Sequence, residues 1–551
     1  MIASAHADSF ARDHLPSRES SPELLYDLPQ LQFPERLNCA AELLDRAIDE
    51  RGWGERNAIL SPGARLSYAD LRERVDRIAR VLVEDMGAIP GNRVLLRGFN
   101  TPTLAAIWLA VQKAGCIAIT TMPLLRAKEL AEIIAKAQVS HAFCEAALDA
   151  ELDAARARCP SLRQVMAFDD DPLNKSAPQG HLLRGALAAR CATKSGGFSA
   201  VATAADDIAL IAFTSGTTGV PKGAMHSHRD VMAICACFPR SILEAGPDDL
   251  FCAPAPLAFT FGLGGALLFP LSLGAATLLV PQPSPESLLR AVARHRVTTL
   301  FATPTFYRQM LPQVGAHDLS GLRRCISAGE PLPAATFEQW RAATGIALID
   351  GIGSTEMLHI FISARAAEMR AGATGKPIPG YRAAVLDATG RPVAPGVVGR
   401  LAVKGPTGCR YLDDPRQQAY VQDGWNITGD AYWIDDAGYF HFAARTDDLI
   451  ISAGCNIGGP EVEEALLAHP AVAECGVVGA ADAERGQVVK ACIVLRPGMA
   501  AGDALAVELQ EHVKTMLASF KVPRIIEFRN ALPRTETGKL QRFRLRQETT
   551  T

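Results

Sequence analysis

The sequence predicts an α/β protein: a large N-terminal domain of parallel-type α/β sheets with a small β subdomain, followed by a small α+β C-terminal domain. Three observations lead there. Apolar runs of strand length alternate with amphipathic helical stretches up to about residue 345, the pattern of parallel strands covered on both faces. After Gly372 the texture changes to short strands and Gly/Pro turns such as Gly390, Pro392, Pro395 and Gly396, which suggests a β subdomain running to about residue 442. The last hundred or so residues carry their own strands and helices, and 551 residues exceed what one core accommodates.

In chain order, residues 1 to about 38 show no strong periodicity and read as an arm lying on the body. Two short strands, 57–60 and 65–67, flank a Ser-Pro-Gly-Ala turn. Ser67 opens a helix with Asp70 three residues on, a capping box, and Leu71, Val75, Ile78 and Leu82 share one face. A β-α-β unit follows: strand 93–97, Thr101 as N-cap with Pro102 in the first turn, a stripe of Leu104, Ile107, Trp108 and Val111, Gly115 at the end, and strand 117–121. Leu130, Ile133, Ile134 and Ala137 mark the next helix, before strand 141–144. Residues 184–207, rich in Ala, Gly, Ser and Thr, read as a connecting loop. Further strands fall at 276–280, 298–302 and 324–327. In the C-terminal unit a helix opens at Pro460, strands span 473–478 and 488–495, and a helix spans 503–517.

Composition excludes several classes. A formal net charge of −3 without a basic block argues against a nucleic-acid partner. The polar N-terminus lacks the apolar core of a signal peptide, and no apolar run is long enough to span a membrane. Thirteen scattered cysteines without a C-x-x-C pair read as reduced thiols, so the expected location is cytoplasmic.

The stretch with the most chemistry is 214–223, TSGTTGVPKG, which follows the apolar strand 208–213. Its glycines let backbone N–H groups turn inward as an anion nest; Thr214, Ser215, Thr217 and Thr218 add hydroxyls, and Lys222 adds a mobile charge. Together with Gly216 and Gly219 these residues are equipped to hold a polyphosphate. The nucleoside-triphosphatase P-loop is ruled out, because Gly223 stands where that motif needs a hydroxyl after the lysine.

The loop resembles the signature of the acyl-adenylate-forming (AMP-binding) superfamily, and further segments match that family in order. Residues 350–357, DGIGSTEM, resemble its nucleotide segment, which implies that Thr355 contacts the α-phosphate, Glu356 holds Mg2+, and Ile352 stands where a tyrosine usually flanks adenine. Residues 327–332, SAGEPL, resemble the adenine loop, giving Gly329, Glu330 and Pro331. The T-G-D of 428–430 implies Asp430 as the ribose acceptor, with Arg445 as the second ribose contact. By the same resemblance Asp447 is the hinge between domains 1–446 and 447–551, making the C-terminal domain a mobile lid, and Gly454 lies beside the pantetheine tunnel of coenzyme A. Residues 533–539, PRTETGK, match the family tail motif, so Lys539 is the expected catalytic lysine together with Thr355 and Glu356.

Residues 256–265 resemble the acyl-pocket segment of aryl-CoA ligases, and residues 122–128 and 257–262 are similar to those of 2-aminobenzoate-CoA ligases within the benzoate-CoA ligase group. That resemblance implies an acyl pocket walled by Phe259, Thr260 and Phe261, with Ile352, Met357 and His359 opposite. The expected activity is an AMP-forming acid–thiol ligase that uses ATP, Mg2+ and coenzyme A on a small aromatic carboxylic acid, as a monomer or homodimer. The alternatives are a free-standing adenylation enzyme loading a carrier protein and a non-catalytic nucleotide-binding protein.

Overall fold

The computed structural model describes residues 2–62, 64–169, 186–214, 221–452, 455–482, 485–534 and 540–547. Two large sheets form the body. One has six strands in the order Gln164–Phe168, His141–Glu145, Arg93–Arg97, Ile117–Thr121, Ile208–Thr214, Lys222–Ser227. All neighbours are parallel except the last pair, an antiparallel hairpin. The other has nine strands, with a parallel centre running Leu348–Gly353, Arg324–Ala328, Thr299–Ala302, Leu250–Cys252, Ala276–Leu278, Asn57–Ser61 and antiparallel edges.

Local sequence explains the elements that matter most. Ser67 accepts from the Asp70 N–H while the Asp70 carboxylate accepts from Ser67 N, so the capping box forms. Thr101 caps the helix Pro102–Lys113, every residue of which except Thr103 is buried. A helix apolar all round belongs in an interior, and this one lies within the main core. Such caps are worth about 1 kcal/mol each.

The arm reading holds: Asp8 pairs with Arg93 at 2.5 Å, and Leu24 bridges to Gly405. Two expectations are corrected. The connecting segment 184–207 contains the helix Ala186–Ala192, because its alanines are strong helix formers and Leu187 supplies a buried anchor. Lys222 and Gly223 belong to a strand rather than a loop, paired with Thr214 and Phe213. Gly223 keeps a negative φ, and close packing explains it: a Cβ there would lie 2.9 Å from Ile211 Cγ2 and 3.1 Å from Phe213.

The β subdomain is a five-stranded antiparallel sheet that starts at Arg382–Leu386 and ends at Phe440–Arg445. Its onset is later than Gly372 because Lys376–Pro377 joins the nine-stranded sheet. Beyond it, strands Val472–Asp482 and Gly486–Leu495 and helices Gly459–Leu467 and Asp503–Met516 enclose a separate apolar core that includes Ile450, Val462, Val477, Ala491 and Leu509. No helix among the described residues is long and apolar enough to cross a membrane.

Candidate active site

Three parallel strands deliver the expected site residues from their carboxyl ends, where open α/β sheets bind ligands. Ile208–Thr214 ends where the expected phosphate loop begins in sequence, Arg324–Ala328 ends at Gly329, and Leu348–Gly353 ends at Ser354 and Thr355. Ser215, Gly216, Thr217, Thr218 and Gly219 lie outside the described residues, as do Gly454 and Lys539. Asp447 falls in the turn Thr446–Asp448, directly after the strand that carries Arg445.

Residues 354–358 form a turn clamped by four side chains. Ser354 Oγ lies 3.3 Å from Tyr420 Oη and accepts from Met357 N at 3.2 Å. His226 Nε2 meets the Thr355 carbonyl at 2.7 Å. Tyr411 donates its hydroxyl to Glu356 Oε1, and Thr407 donates to the Met357 carbonyl at 2.8 Å. Leu358 closes the turn with φ 68°, a left-handed conformation costly for a non-glycine residue and found where surroundings over-determine the backbone.

Lys222 joins this cluster. Its Nζ donates to Tyr411 Oη at 3.3 Å and stands 5.3 Å from the ring centroid. Burial, and then the Glu356 charge, push the Tyr411 hydroxyl well above its ordinary range, so it stays protonated as a donor. Tyr411, Tyr420, Thr407 and His226 were not found from sequence. They carry no local motif, and their roles arise from a strand and a loop far along the chain meeting the 354–358 turn.

Asp430 and Arg445 face each other on adjacent antiparallel strands and pair at 2.9 Å. Burial raises the Asp430 carboxyl above its usual range, and Arg445 opposes that shift. The Glu330 side chain is engaged at the start of the helix Pro304–Met310, where Oε2 accepts from Thr305 N and Oγ1. Gly329 and Pro331 remain exposed, and Gly329 has φ 87° with open space beside it. Asp350, also missed by sequence reading, stands in register with Ser327 on the neighbouring strand with Oδ1 buried and without a hydrogen-bond partner, and burial pushes its carboxyl up to about 8.

The acyl-pocket expectation divides. His359 is 2% exposed, and its ring centroid lies 4.5 Å from that of Phe269, 5.8 Å from Phe238, 5.9 Å from Phe261 and 6.3 Å from Phe301. Gly264 makes room for the imidazole, since a Cβ there would lie 2.6 Å from Nε2. The Phe261 carbonyl is near the ring, yet neither ring nitrogen forms a hydrogen bond of normal geometry. Desolvation lowers the imidazole to about 3, so it is neutral at physiological pH. Of the two phenylalanines expected as walls, Phe261 meets this ring; Phe259 and Thr260 stand half-buried at the start of the helix Thr260–Leu263. Ile352 is partly buried against the main core.

Among the described residues no group of three His, Cys, Asp or Glu side chains gathers as a set of metal ligands. Glu356 is a buried carboxylate linked to Lys222 through Tyr411, and an oxygen-seeking Mg2+ held by it would have to complete its ligands from phosphates and water.

The family model of the AMP-binding enzyme matches residues 45–410, and that of the AMP-binding enzyme C-terminal domain matches residues 461–539. The chain belongs to the AMP-binding enzyme family. It is 36% identical to the benzoate–CoA ligase of Thauera aromatica over 94% of this chain and 97% of that protein. Among solved structures it is similar to the anthranilate CoA ligase AuaEII in complex with anthranoyl-AMP, at TM-score 0.88 and 30% identity, covering 95% of this chain and 99% of that one. It is also similar to ATP-bound MatB from Rhodopseudomonas palustris, at TM-score 0.84 and 30% identity over 93% and 99% of the two chains. This AMP-binding enzyme is an AMP-forming acid–thiol ligase of the acyl-CoA synthetase type, with a benzoate-CoA ligase-like chain.

Proposed function

We propose that the protein is an ATP-dependent aryl-CoA ligase whose preferred acid is 2-aminobenzoate or a closely related benzoate. The observation that carries the substrate reading is His359, a buried neutral imidazole with both nitrogens unpaired, set among four phenylalanines four residues beyond Thr355. The rings favour a planar aromatic acid, adding about 0.5–1.5 kcal/mol per contact beyond area burial. The bare imidazole nitrogen is an acceptor for an ortho-amine. Benzoate would leave it unpaired, which costs about 1–3 kcal/mol, or about five- to 150-fold. Phe259, Thr260, Phe261 and Ile352 complete the proposed pocket.

In this reading the substrate carboxylate attacks the α-phosphorus of ATP, giving acyl-AMP and pyrophosphate. Thr214, Ser215, Gly216, Thr217, Thr218, Gly219 and Lys222 cradle the phosphates, and Thr355 positions the α-phosphate. Gly329, Glu330, Pro331 and Ile352 flank adenine, with Glu330 contributing backbone only; Asp430 and Arg445 take the ribose. Glu356 would hold a magnesium ion, which disperses charge on the phosphate oxygens. Lys539 stabilises the same charge from the lid, residues 447–551, which then turns about Asp447 away from domain 1–446. The coenzyme A thiolate, arriving past Gly454, displaces AMP to give the thioester.

The test is CoA-dependent AMP formation with 2-aminobenzoate, benzoate, 2-hydroxybenzoate and decanoate at saturating CoA. The reading predicts the aromatic acids far ahead of decanoate and 2-aminobenzoate first. If decanoate wins, the aryl assignment is wrong.

A further inference from the structure

We propose that His226 is a positioning residue for adenylation, tying the phosphate-loop hairpin to the turn that carries Thr355 and Glu356. The inference rests on the adenylating reading above. His226 lies on the strand Lys222–Ser227, four residues after Lys222, and its side chain is wholly buried. A carbonyl can only accept, so the 2.7 Å contact with Thr355 O places the proton on Nε2. The same carbonyl also accepts from Leu358 N at 3.2 Å, the bond that closes the left-handed turn. His226 therefore grips the atom on which the strained segment closes.

Asp230, the carboxylate beside the ring, does not take that proton. Asp230 Oδ2 stands 3.9 Å from Nδ1, beyond hydrogen-bond reach, and is already engaged by Arg410 Nη1 at 2.7 Å and Ser227 N at 2.8 Å. Arg410 is adjacent in sequence to Tyr411, and its carbonyl accepts from Met225 N at 2.8 Å, so strand and clamp share one hydrogen-bonded frame. The hairpin side chain of His226 is bonded directly to Thr355, alongside the Lys222–Tyr411–Glu356 link. An apolar residue at 226 would fill the space and leave the carbonyl without that anchor.

The experiment measures ATP–pyrophosphate exchange and, separately, thioester formation from supplied acyl-AMP and CoA, for wild type, His226→Leu, His226→Gln and His226→Asn. Thermal unfolding of each variant is followed alongside. The Gln amide reaches about as far as Nε2 and can donate; the Asn amide reaches only to the Nδ1 level. We expect His226→Leu and His226→Asn to lose about 10- to 100-fold in the kcat of exchange. Thioester formation should fall far less, and His226→Gln should recover most of the exchange rate.

Exchange in His226→Leu at the wild-type rate overturns the proposal. So does an equal loss in both half-reactions, which marks a merely structural role. If the leucine variant does not fold, the Gln and Asn pair decides: equal impairment overturns the donor role, and selective rescue by Gln supports it. A wild-type enzyme that exchanges pyrophosphate with no aromatic or aliphatic acid refutes the adenylating reading itself, before any substitution is compared.

Discussion

The Tyr411 hydroxyl donates to Glu356 Oε1 and accepts from Lys222 Nζ, so one phenol sets the spacing between the acidic and basic groups expected at the nucleotide phosphates. The ring also lies under the lysine, 5.3 Å from Nζ, and edge-on to Tyr420 at 5.7 Å. A hydroxyl suits this place because its one oxygen can donate to a carboxylate while accepting from an ammonium group.

Tyr411→Phe keeps the ring and removes that link. We expect ATP–pyrophosphate exchange to fall about 10- to 100-fold, the range for losing a partner that orients a metal-side ligand. Buried Glu356 loses a donor, so stability should fall by about 1–3 kcal/mol. An unchanged exchange rate at every magnesium concentration would show that Glu356 needs no such support.

Lys539→Ala should cripple adenylation and spare thioester formation from supplied acyl-AMP. One positioned charge-stabilising donor is worth about 100- to 1000-fold. The expectation comes from the tail motif alone, because the lysine lies outside the described residues. Equal losses in both half-reactions would remove Lys539 from the adenylation step.

Asp350 gives a pH signature. Burial pushes its folded-state carboxyl up to about 8, against about 3.9 in an unfolded chain. Between those values the folded protein keeps a proton that the unfolded chain has released. Its contribution is therefore full below pH about 4 and is lost as pH rises to about 8. Asp350→Asn carries no titrating proton, so its Tm relative to wild type should climb from pH 5 to pH 9. Melting curves that keep a constant separation across that range would show that Asp350 is not held neutral.

How much of this was legible in sequence follows from the range of each interaction. Caps at Ser67 and Thr101, the β-α-β unit over residues 93–121, and the separate C-terminal core are written in spacings of three or four residues or in apolar periodicity. The helix Ala186–Ala192 was overlooked because small residues read as loop, although alanine favours helix. The strand character of Lys222 and Gly223 was hidden by loop-like composition and comes from pairing with Thr214 and Phe213. Family motifs pointed to Thr355, Glu356, Asp430 and Arg445, and the fold brings the last two into direct contact. They did not point to Tyr411 or His226, whose function depends on which distant backbone atom each reaches.

The central claim is that a neutral His359 reads the ring substituent of an aromatic acid. The direct measurement is the ratio of kcat/KM for 2-aminobenzoate over benzoate, in wild type and in His359→Leu. We expect a wild-type ratio of about five to 150, set by an acceptor left unpaired with benzoate. The leucine variant, apolar and of comparable bulk, should retain activity on benzoate and bring the ratio close to one. A ratio unchanged by the substitution, or a wild-type enzyme that prefers benzoate, would contradict the account.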